Sequence, residues 1–222
     1  MVQSHSSLDL DVSTRLNRFC LALLVTLPAG AVTAQSVPYT VSQGVVASQM
    51  QPAISLKIDN ALEYVGSQRW ILYDVTQAEQ HLFVQKSAAG VERFVWVQFE
   101  EYLPSVSARY DYSGDAPLTA FGKELRTSKM LWTIPTTEQR PASDGAHARQ
   151  LLRDHGIVLP SKMLYERFIY LPDATHRREL MIIYAERLSS SDSAAAISPM
   201  GLDALLAASE KRALATFAIA AR

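Results

Sequence analysis

The segment from Val91 to Glu100 places apolar side chains on both faces of a strand, and this pattern limits how the chain can fold. Successive side chains of an extended strand point in opposite directions. Val95 and Val97 therefore face one way, while Phe94 and Trp96 face the other. We predict a central strand of a sheet, covered by a core on one face and partly covered on the other.

Strand-like runs surround this segment. A hairpin is predicted where Leu82–Lys86 and Val91–Phe99 flank the short turn Ser87–Gly90. The remaining predicted strands are rich in aromatic and branched residues, which favour extended structure. They cover residues 70–75, 108–112, 125–134 and 179–188.

Helix signals are concentrated later in the chain. Ser143 or Asp144 is a good N-cap for a helix that includes Ala148, Leu151, Leu152 and His155 on one face, and Gly156 suits the position that ends it. Residues 161–170 follow Pro160 and are interpreted as a second short helix, although their apolar density leaves a strand open. Ser198 and Pro199 begin the best-signalled helix. Its apolar stripe at helical spacing consists of Leu202, Leu205, Leu206, Ser209, Ala213, Phe217 and Ala220.

The order of these elements predicts a fold class. Strands come first and helices mostly afterwards, which favours an α+β domain with helices packed against an antiparallel sheet. We expect about five to seven strands, with helices concentrated in the C-terminal half. A long amphipathic helix is expected to form the C-terminal element.

The N-terminal region has the features of a secretory signal peptide. Arg15 and Arg18 precede the apolar run 19–27, and small residues lead to Ala34 just before Gln35. The apolar run is shorter than the roughly 20 residues that span a bilayer. We predict cleavage between Ala34 and Gln35, with no stable membrane span afterwards. An uncleaved N-terminal anchor is the alternative.

This signal divides the chain and indicates its compartment. We expect a signal peptide (1–34), a flexible lead-in (35–52) and a single α+β domain (53–222). The only cysteine, Cys20, lies inside the signal, so the exported part has no disulfide. Together with the absence of any Asn-x-Ser/Thr sequon, this favours an exported bacterial protein of the periplasm or the extracellular medium.

Composition and motifs exclude several classes of function. The chain has 21 Lys and Arg against 22 Asp and Glu, whereas nucleic-acid binding needs a concentrated basic face. It contains no G-x-S-x-G, Walker, G-x-G-x-x-G or H-E-x-x-H motif. His147 and His155 share a helix with Asp144, but a metal site needs further ligands. We therefore predict no cofactor, no metal and no catalytic residue.

The most suggestive cluster of residues for ligand binding follows the central strand. Tyr102, Arg109, Tyr110 and Tyr112 combine apolar rings with polar or charged tips, which suit ligand sites as well as cores. These four residues are the predicted ligand-binding residues. Glu100 precedes them, and its neighbour Glu101 points to the opposite face of a strand, so these two cannot act together as acid and base. Either can pair with a carboxylate distant in sequence.

Three functions are compatible with these features. The first is a non-catalytic envelope protein that binds a small or apolar ligand between sheet and helices. The second is a protein-interaction module that uses the C-terminal helix or a sheet edge. The third is an exported hydrolase whose carboxylates or histidine converge from separate segments. The sequence leaves the ligand and the oligomeric state open.

Overall fold

The structure is a computed structural model that describes residues 39–42, 44–48, 54–137, 140–189 and 198–221. The signal peptide predicted over 1–34, including the cleavage site at Ala34 and Gln35, lies outside the described residues.

Regular structure in the described residues consists of eleven strands and two helices. The strands are β1 (Tyr39–Ser42), β2 (Val45–Ser48), β3 (Ile54–Ile58), β4 (Glu63–Leu72), β5 (Thr76–Ser87), β6 (Gly90–Tyr102), β7 (Ala116–Ala120), β8 (Lys123–Thr133), β9 (Lys162–Tyr170), β10 (Arg178–Arg187) and β11 (Phe217–Ala221). The helices are α1 (Asp144–Asp154) and α2 (Pro199–Thr216). Strands β1 and β2 lie within the expected flexible lead-in, where the structure differs by forming a hairpin.

Two antiparallel sheets form in this described part of the chain. The smaller has the strand order β1–β2–β3–β11, and the larger has the order β4–β5–β6–β10–β9–β8–β7. In the larger sheet β4–β6 form one meander and β7–β10 form another, and the two meet where β6 pairs with β10. The α+β class with antiparallel pairing is confirmed in this coarser form, with two sheets where one was expected.

The two faces of the larger sheet are covered by different elements. On one face Phe83, Val97 and Tyr184 share a core with Leu56 and Ile219 of the smaller sheet and with part of α2. We call this the β-face. Burial of this apolar surface from both layers is the main favourable term in such a fold.

The opposite face of the larger sheet packs against α1, and we call it the α1-face. Phe94, Trp96 and Ile183 lie there in contact with a cluster that includes Ala148 and Leu152 of the helix. Since Val95 on the β-face and Phe94 on the α1-face are both fully buried, β6 is a central strand.

Helix α1 has the ends that its sequence predicts. The Ser143 hydroxyl accepts a hydrogen bond from the Ala146 N–H at 3.2 Å, as an N-cap does. At the other end Gly156 adopts a positive φ of 68°. The chain then turns back, and the Ile157 N–H donates to the Leu152 carbonyl at 2.9 Å. Ile157 therefore packs against the helix that it follows.

The helix interpretation of 161–170 is wrong. Residues 162–170 form β9, which pairs with β8 on one side and with β10 on the other. Hydrogen-bonded ladders on both edges, together with the branched and aromatic side chains, outweigh the local helical tendency. The strand predicted over 108–112 is also absent from the described residues, since this part of the chain has no neighbouring strand to pair with.

The C-terminal helix is shorter than its apolar stripe predicted. It ends at Thr216, and Phe217–Ala221 form β11 against β3. Phe217 and Ile219 are buried whereas Ala218 is exposed, which is the period of two of a strand. Phe217 and Ala220 therefore belong to a strand rather than to the helical stripe. No helix among the described residues combines the length and apolar character needed to cross a bilayer.

Candidate functional site

Three carboxylates from distant parts of the chain lie together on the α1-face. Glu100 of β6 and Glu179 of β10 are direct partners in the antiparallel ladder. Directly paired residues place their side chains side by side on one face. Asp144, the first residue of α1, is near enough to raise the pKa of both through its charge. We call these three residues the acidic cluster.

Two tyrosine hydroxyls donate hydrogen bonds to the acidic cluster. Tyr110 donates to Oε2 of Glu100 at 2.9 Å, and Tyr112 donates to Oε2 of Glu179 at 2.5 Å. The ring centroids of Tyr110 and Tyr112 are 6.3 Å apart, and that of Tyr102 lies 4.5 Å from Tyr110. The structure thus brings together three of the four predicted ligand-binding residues. The hydroxyls of Tyr110 and Tyr112 bond one oxygen of each glutamate in the cluster.

A chain of amides extends the cluster along the sheet. The Gln98 amide donates to Oε1 of Glu100, and its oxygen accepts from the Trp96 indole N–H at 2.8 Å and from Gln80 at 3.0 Å. Gln68 in turn donates to Gln80 at 2.7 Å. Each of these groups fixes the orientation of the next, so Glu100 is held in one position.

One arginine holds the segment that bears the tyrosines. Arg177 donates to the carbonyl oxygens of Leu103 at 2.9 Å, Val106 at 2.5 Å and Ala108 at 3.2 Å. The Tyr110 N–H also donates to the His176 carbonyl at 2.8 Å. These bonds satisfy backbone groups of the irregular segment that have no neighbouring strand to pair with. They also explain why Tyr110 reaches the sheet.

Burial and mutual repulsion keep protons on the acidic cluster. Burial, and then the charge of Asp144, raise the pKa of Glu100 to about 7. Burial, and then the charge of Glu100, raise the pKa of Glu179 to about 8, and burial also raises the pKa of Asp144. Carboxyl groups with such pKa values exchange protons near neutral pH, which is the property required of a general acid or base.

Replacing Glu100 by glutamine is expected to lower the pKa of Glu179. The change removes a charge that raises this pKa but leaves the burial, so the new value lies between 4.5 and about 8. Carbon-13 NMR titration of the glutamate carboxyl carbons measures it. Glu101→Gln is the matched control, since Glu101 pairs with Arg178 at 2.8 Å on the opposite face. An unchanged Glu179 pKa in Glu100→Gln contradicts the coupling.

A cavity of about 340 Å³ opens at the other end of α1. We call it the α1 cleft. Its apolar wall is formed by Ile134, Leu152, Ile157, Val158 and Leu159. Its polar lining is formed by Thr136, Arg149, Arg153 and Ser161.

Local structure explains the shape of the α1 cleft. The turn at Gly156 folds Ile157 back along α1, and the Ile134 N–H donates to the Ser161 carbonyl at 2.9 Å. These bonds fix the positions of Ile134, Ile157 and Ser161, which line the cavity. Arg149 and Arg153 are four residues apart on the helix and so lie on one side of it.

The other residues that the sequence suggested for a ligand or metal site lie outside the acidic cluster. Arg109, the fourth predicted ligand-binding residue, is exposed. The His147 ring stacks on Trp70 with centroids 4.3 Å apart, and His155 Nδ1 bonds the Leu151 carbonyl at 2.9 Å. Among the described residues, no three His, Cys, Asp or Glu side chains are placed to hold a metal ion.

No local pattern in the sequence predicts that Asp144, Glu179 and Arg177 lie in one site. Comparison of the chain with protein-family models, with curated proteins and with solved structures finds no significant match in any of the three.

Proposed function

We propose that this protein binds a small amphiphilic ligand in the α1 cleft without chemically changing it. The observation behind the proposal is an open, largely apolar cavity of about 340 Å³ with two arginines in its lining. Ligand sites are concave, mostly apolar and supplied with a few polar groups, and this volume falls in their usual range.

The lining indicates the chemistry of the ligand. Val158 is 79% exposed, so an apolar chain laid against it removes hydrophobic surface from water. Each buried methylene group contributes about 0.8 kcal/mol. Arg149 and Arg153 favour an acidic head group, because guanidinium groups bind carboxylates and phosphates through paired hydrogen bonds. With the predicted export signal, this activity belongs to a bacterial periplasm or to the extracellular medium.

Two probes with the same tail and opposite heads test this proposal. Dodecanoate is expected to bind more tightly than dodecyltrimethylammonium in isothermal titration calorimetry below the micelle concentration. Arg153→Glu is expected to weaken dodecanoate binding about tenfold, the size of one charge-assisted hydrogen bond. Lys211→Glu, an exposed cation on α2, is the matched control and leaves binding unchanged.

A variant in which a large side chain fills the α1 cleft completes the test. Ser161 is exposed at the rim, so Ser161→Trp places a large ring in the α1 cleft with little effect on the core. Binding of dodecanoate is expected to be lost. Equal affinity for the two probes, or full binding by Ser161→Trp, is incompatible with a ligand in this cavity.

The hydrolase alternative is second, and it is favoured by the convergence of Glu100, Glu179 and Asp144. Their raised pKa values suit acid–base chemistry. It ranks below ligand binding because tyrosine and glutamine side chains already donate to these carboxylates. Glu100 and Glu179 are also only 7% and 4% exposed, which leaves a substrate little access to them.

A further inference from the structure

A separate group of polar side chains lies on the β-face near the edge of the larger sheet. Glu79 and His81 of β5 are 3% and 0% exposed, yet they lie among the apolar residues of that face. Tyr64 and Arg69 of the edge strand β4 contact them. None of these four residues belongs to the acidic cluster or to the α1 cleft.

A β-bulge brings Tyr64 to this face. The register of β4 against β5 shifts between Tyr64 and Gly66. Val65 packs against the core of the α1-face, so the extra residue turns Tyr64 to the opposite side, where its ring lies 5.1 Å from that of Phe83. Bulges redirect side chains in this way and are frequent beside functional sites.

Hydrogen bonds join three of these side chains in a row. The Tyr64 hydroxyl is 3.3 Å from Nδ1 of His81, and Nε2 of His81 is 3.1 Å from Oε1 of Glu79. Glu79 also accepts from Arg69, so it acts as an acceptor here, and the tautomer assigned to His81 carries its proton on Nε2. Nδ1 then has the lone pair that accepts from Tyr64.

The row is held rigidly at its buried end. Arg69 donates through Nε to Oε2 of Glu79 at 3.2 Å, which fixes the carboxylate. The His81 ring lies edge-on to Phe99, with centroids 6.3 Å apart. The Tyr64 side chain at the other end is 41% exposed. A hydroxyl on a partly exposed side chain, a base within reach and a third group that orients the base are the parts of an activated nucleophile.

We propose that Tyr64 is a nucleophile that accepts acyl groups from activated esters, with His81 as its general base and Glu79 as the positioning residue. The Tyr64 oxygen attacks the ester carbonyl while its proton passes to Nδ1 of His81. The ester C–O bond then breaks, and the proton leaves with the departing alcohol. The products are an O-acyl tyrosine and one free alcohol.

Acetylation by p-nitrophenyl acetate tests this proposal in the full chain. Peptide mapping by mass spectrometry gives the rate at each tyrosine, with N-acetyltyrosinamide in the same solution as the reference. Tyr64 is expected to react on the order of a hundredfold faster than the reference, the lower end of general-base catalysis. Tyr73, which is 55% exposed and has no histidine bonded to its hydroxyl in the described residues, is the internal control.

Variants separate the chemistry from a structural role. Tyr64→Phe keeps the ring contact with Phe83 and is expected to remove acetylation at that position alone. Glu79→Gln is expected to slow Tyr64 about tenfold or more through misplacement of His81, while the rate at Tyr73 stays the same. That ratio within one molecule is unaffected by the amount of folded protein.

Three results overturn the proposal. The first is a Tyr64 rate no higher than that of the reference in the unmodified protein, which requires no variant to fold. The second is an unchanged Tyr64 rate in Glu79→Gln. The third is acetylation of Ser67, the residue opposite His81 in the ladder, in place of Tyr64.

Discussion

Replacing Glu166 by glutamine is expected to raise the free energy of unfolding above neutral pH. The upper limit of this increase is between about 4 and 5 kcal/mol. Glu166 is fully buried on β9, and neither of its carboxyl oxygens has a hydrogen-bond partner in the described residues. Burial, and then the charge of Glu210, raise its pKa from 4.5 to about 8. Each unit of such a shift corresponds to about 1.4 kcal/mol.

The neighbours of Glu166 compensate its charge only in part, because the charge of Lys129 lowers its pKa less than burial and Glu210 raise it. Lys129 of β8 is its ladder partner on one side, but this ammonium group pairs with Glu210 of α2 at 2.8 Å. On the other side the partner is Tyr184 of β10, whose hydroxyl donates to Glu186 at 2.6 Å. Glu186 in turn accepts from Arg212 of α2 at 2.9 Å, so both nearby cations are already paired.

The sign of the pH effect follows from linkage. Below pH 4.5 Glu166 is neutral in the folded and the unfolded chain, so it adds no pH-dependent term. Between pH 4.5 and about 8 the unfolded chain loses the proton while the folded chain keeps it. Stability therefore falls as the pH rises through this window and is constant above it. Glutamine removes this loss.

Urea unfolding at pH 5, 7 and 9 measures the effect as a difference between the variant and the parent protein. The difference is used because Glu100 and Glu179 add slopes of their own in the same window. Glu124→Gln changes an exposed residue of β8 and is the control, with a difference that stays within about 0.5 kcal/mol at all three pH values. A pH-independent difference for Glu166→Gln contradicts a neutral buried carboxyl.

Replacing Phe217 by alanine is expected to cost about 3 to 5 kcal/mol of stability. Phe217 is 3% exposed at the junction between α2 and β11. Its ring lies 5.3 Å from that of Phe168 and 5.5 Å from that of Phe121. Truncating a buried phenylalanine removes its transfer free energy and leaves a cavity that the surrounding core fills only in part.

Phe121→Ala is the matched control for this prediction. It removes the same ring pair from the other side, but Phe121 is only half-buried, so the expected loss is less than half as large. Thermal and urea unfolding give both values. A loss at Phe217 equal to that at Phe121 is incompatible with a core position for the first residue of β11.

The elements predicted well from the sequence are those whose signals are local. The hairpin of β5 and β6 follows from its alternating residues and small turn, and the ends of α1 follow from Ser143 and Gly156. The central place of β6 follows from apolar residues on both of its faces. Each of these features depends on side chains within a few positions of one another.

The elements that were missed depend on distant partners. The local features of β9 leave helix and strand open, and its pairing with β8 and β10 decides between them. The end of α2 is set in the same way by β3, which takes Phe217–Ala221 as a strand.

The candidate sites show the same division between local and distant information. Tyr110 and Tyr112 are two of the four ligand-binding residues predicted from the chemistry of their side chains, but their bonds to Glu100 and Glu179 depend on the ladder between β6 and β10. The contact of Tyr64 with His81 depends on a bulge beside Gly66, in a part of β4 for which no strand was predicted.

The pairing of β6 with β10 also bears on how fast this chain folds. Pairing within each meander joins strands that follow one another along the chain, whereas β6 and β10 join residues such as Glu101 and Arg178, which are 77 positions apart. Contacts of such long range cost more chain entropy to close, and the same holds for β3 with β11, where Ile58 pairs with Phe217, so we expect these two joints to form late and to limit the rate. The joint of β6 with β10 buries Glu100 and Glu179 next to each other and removes both from water. Folding is therefore expected to be fastest in acid, where at least one of the two carboxyl groups already has its proton.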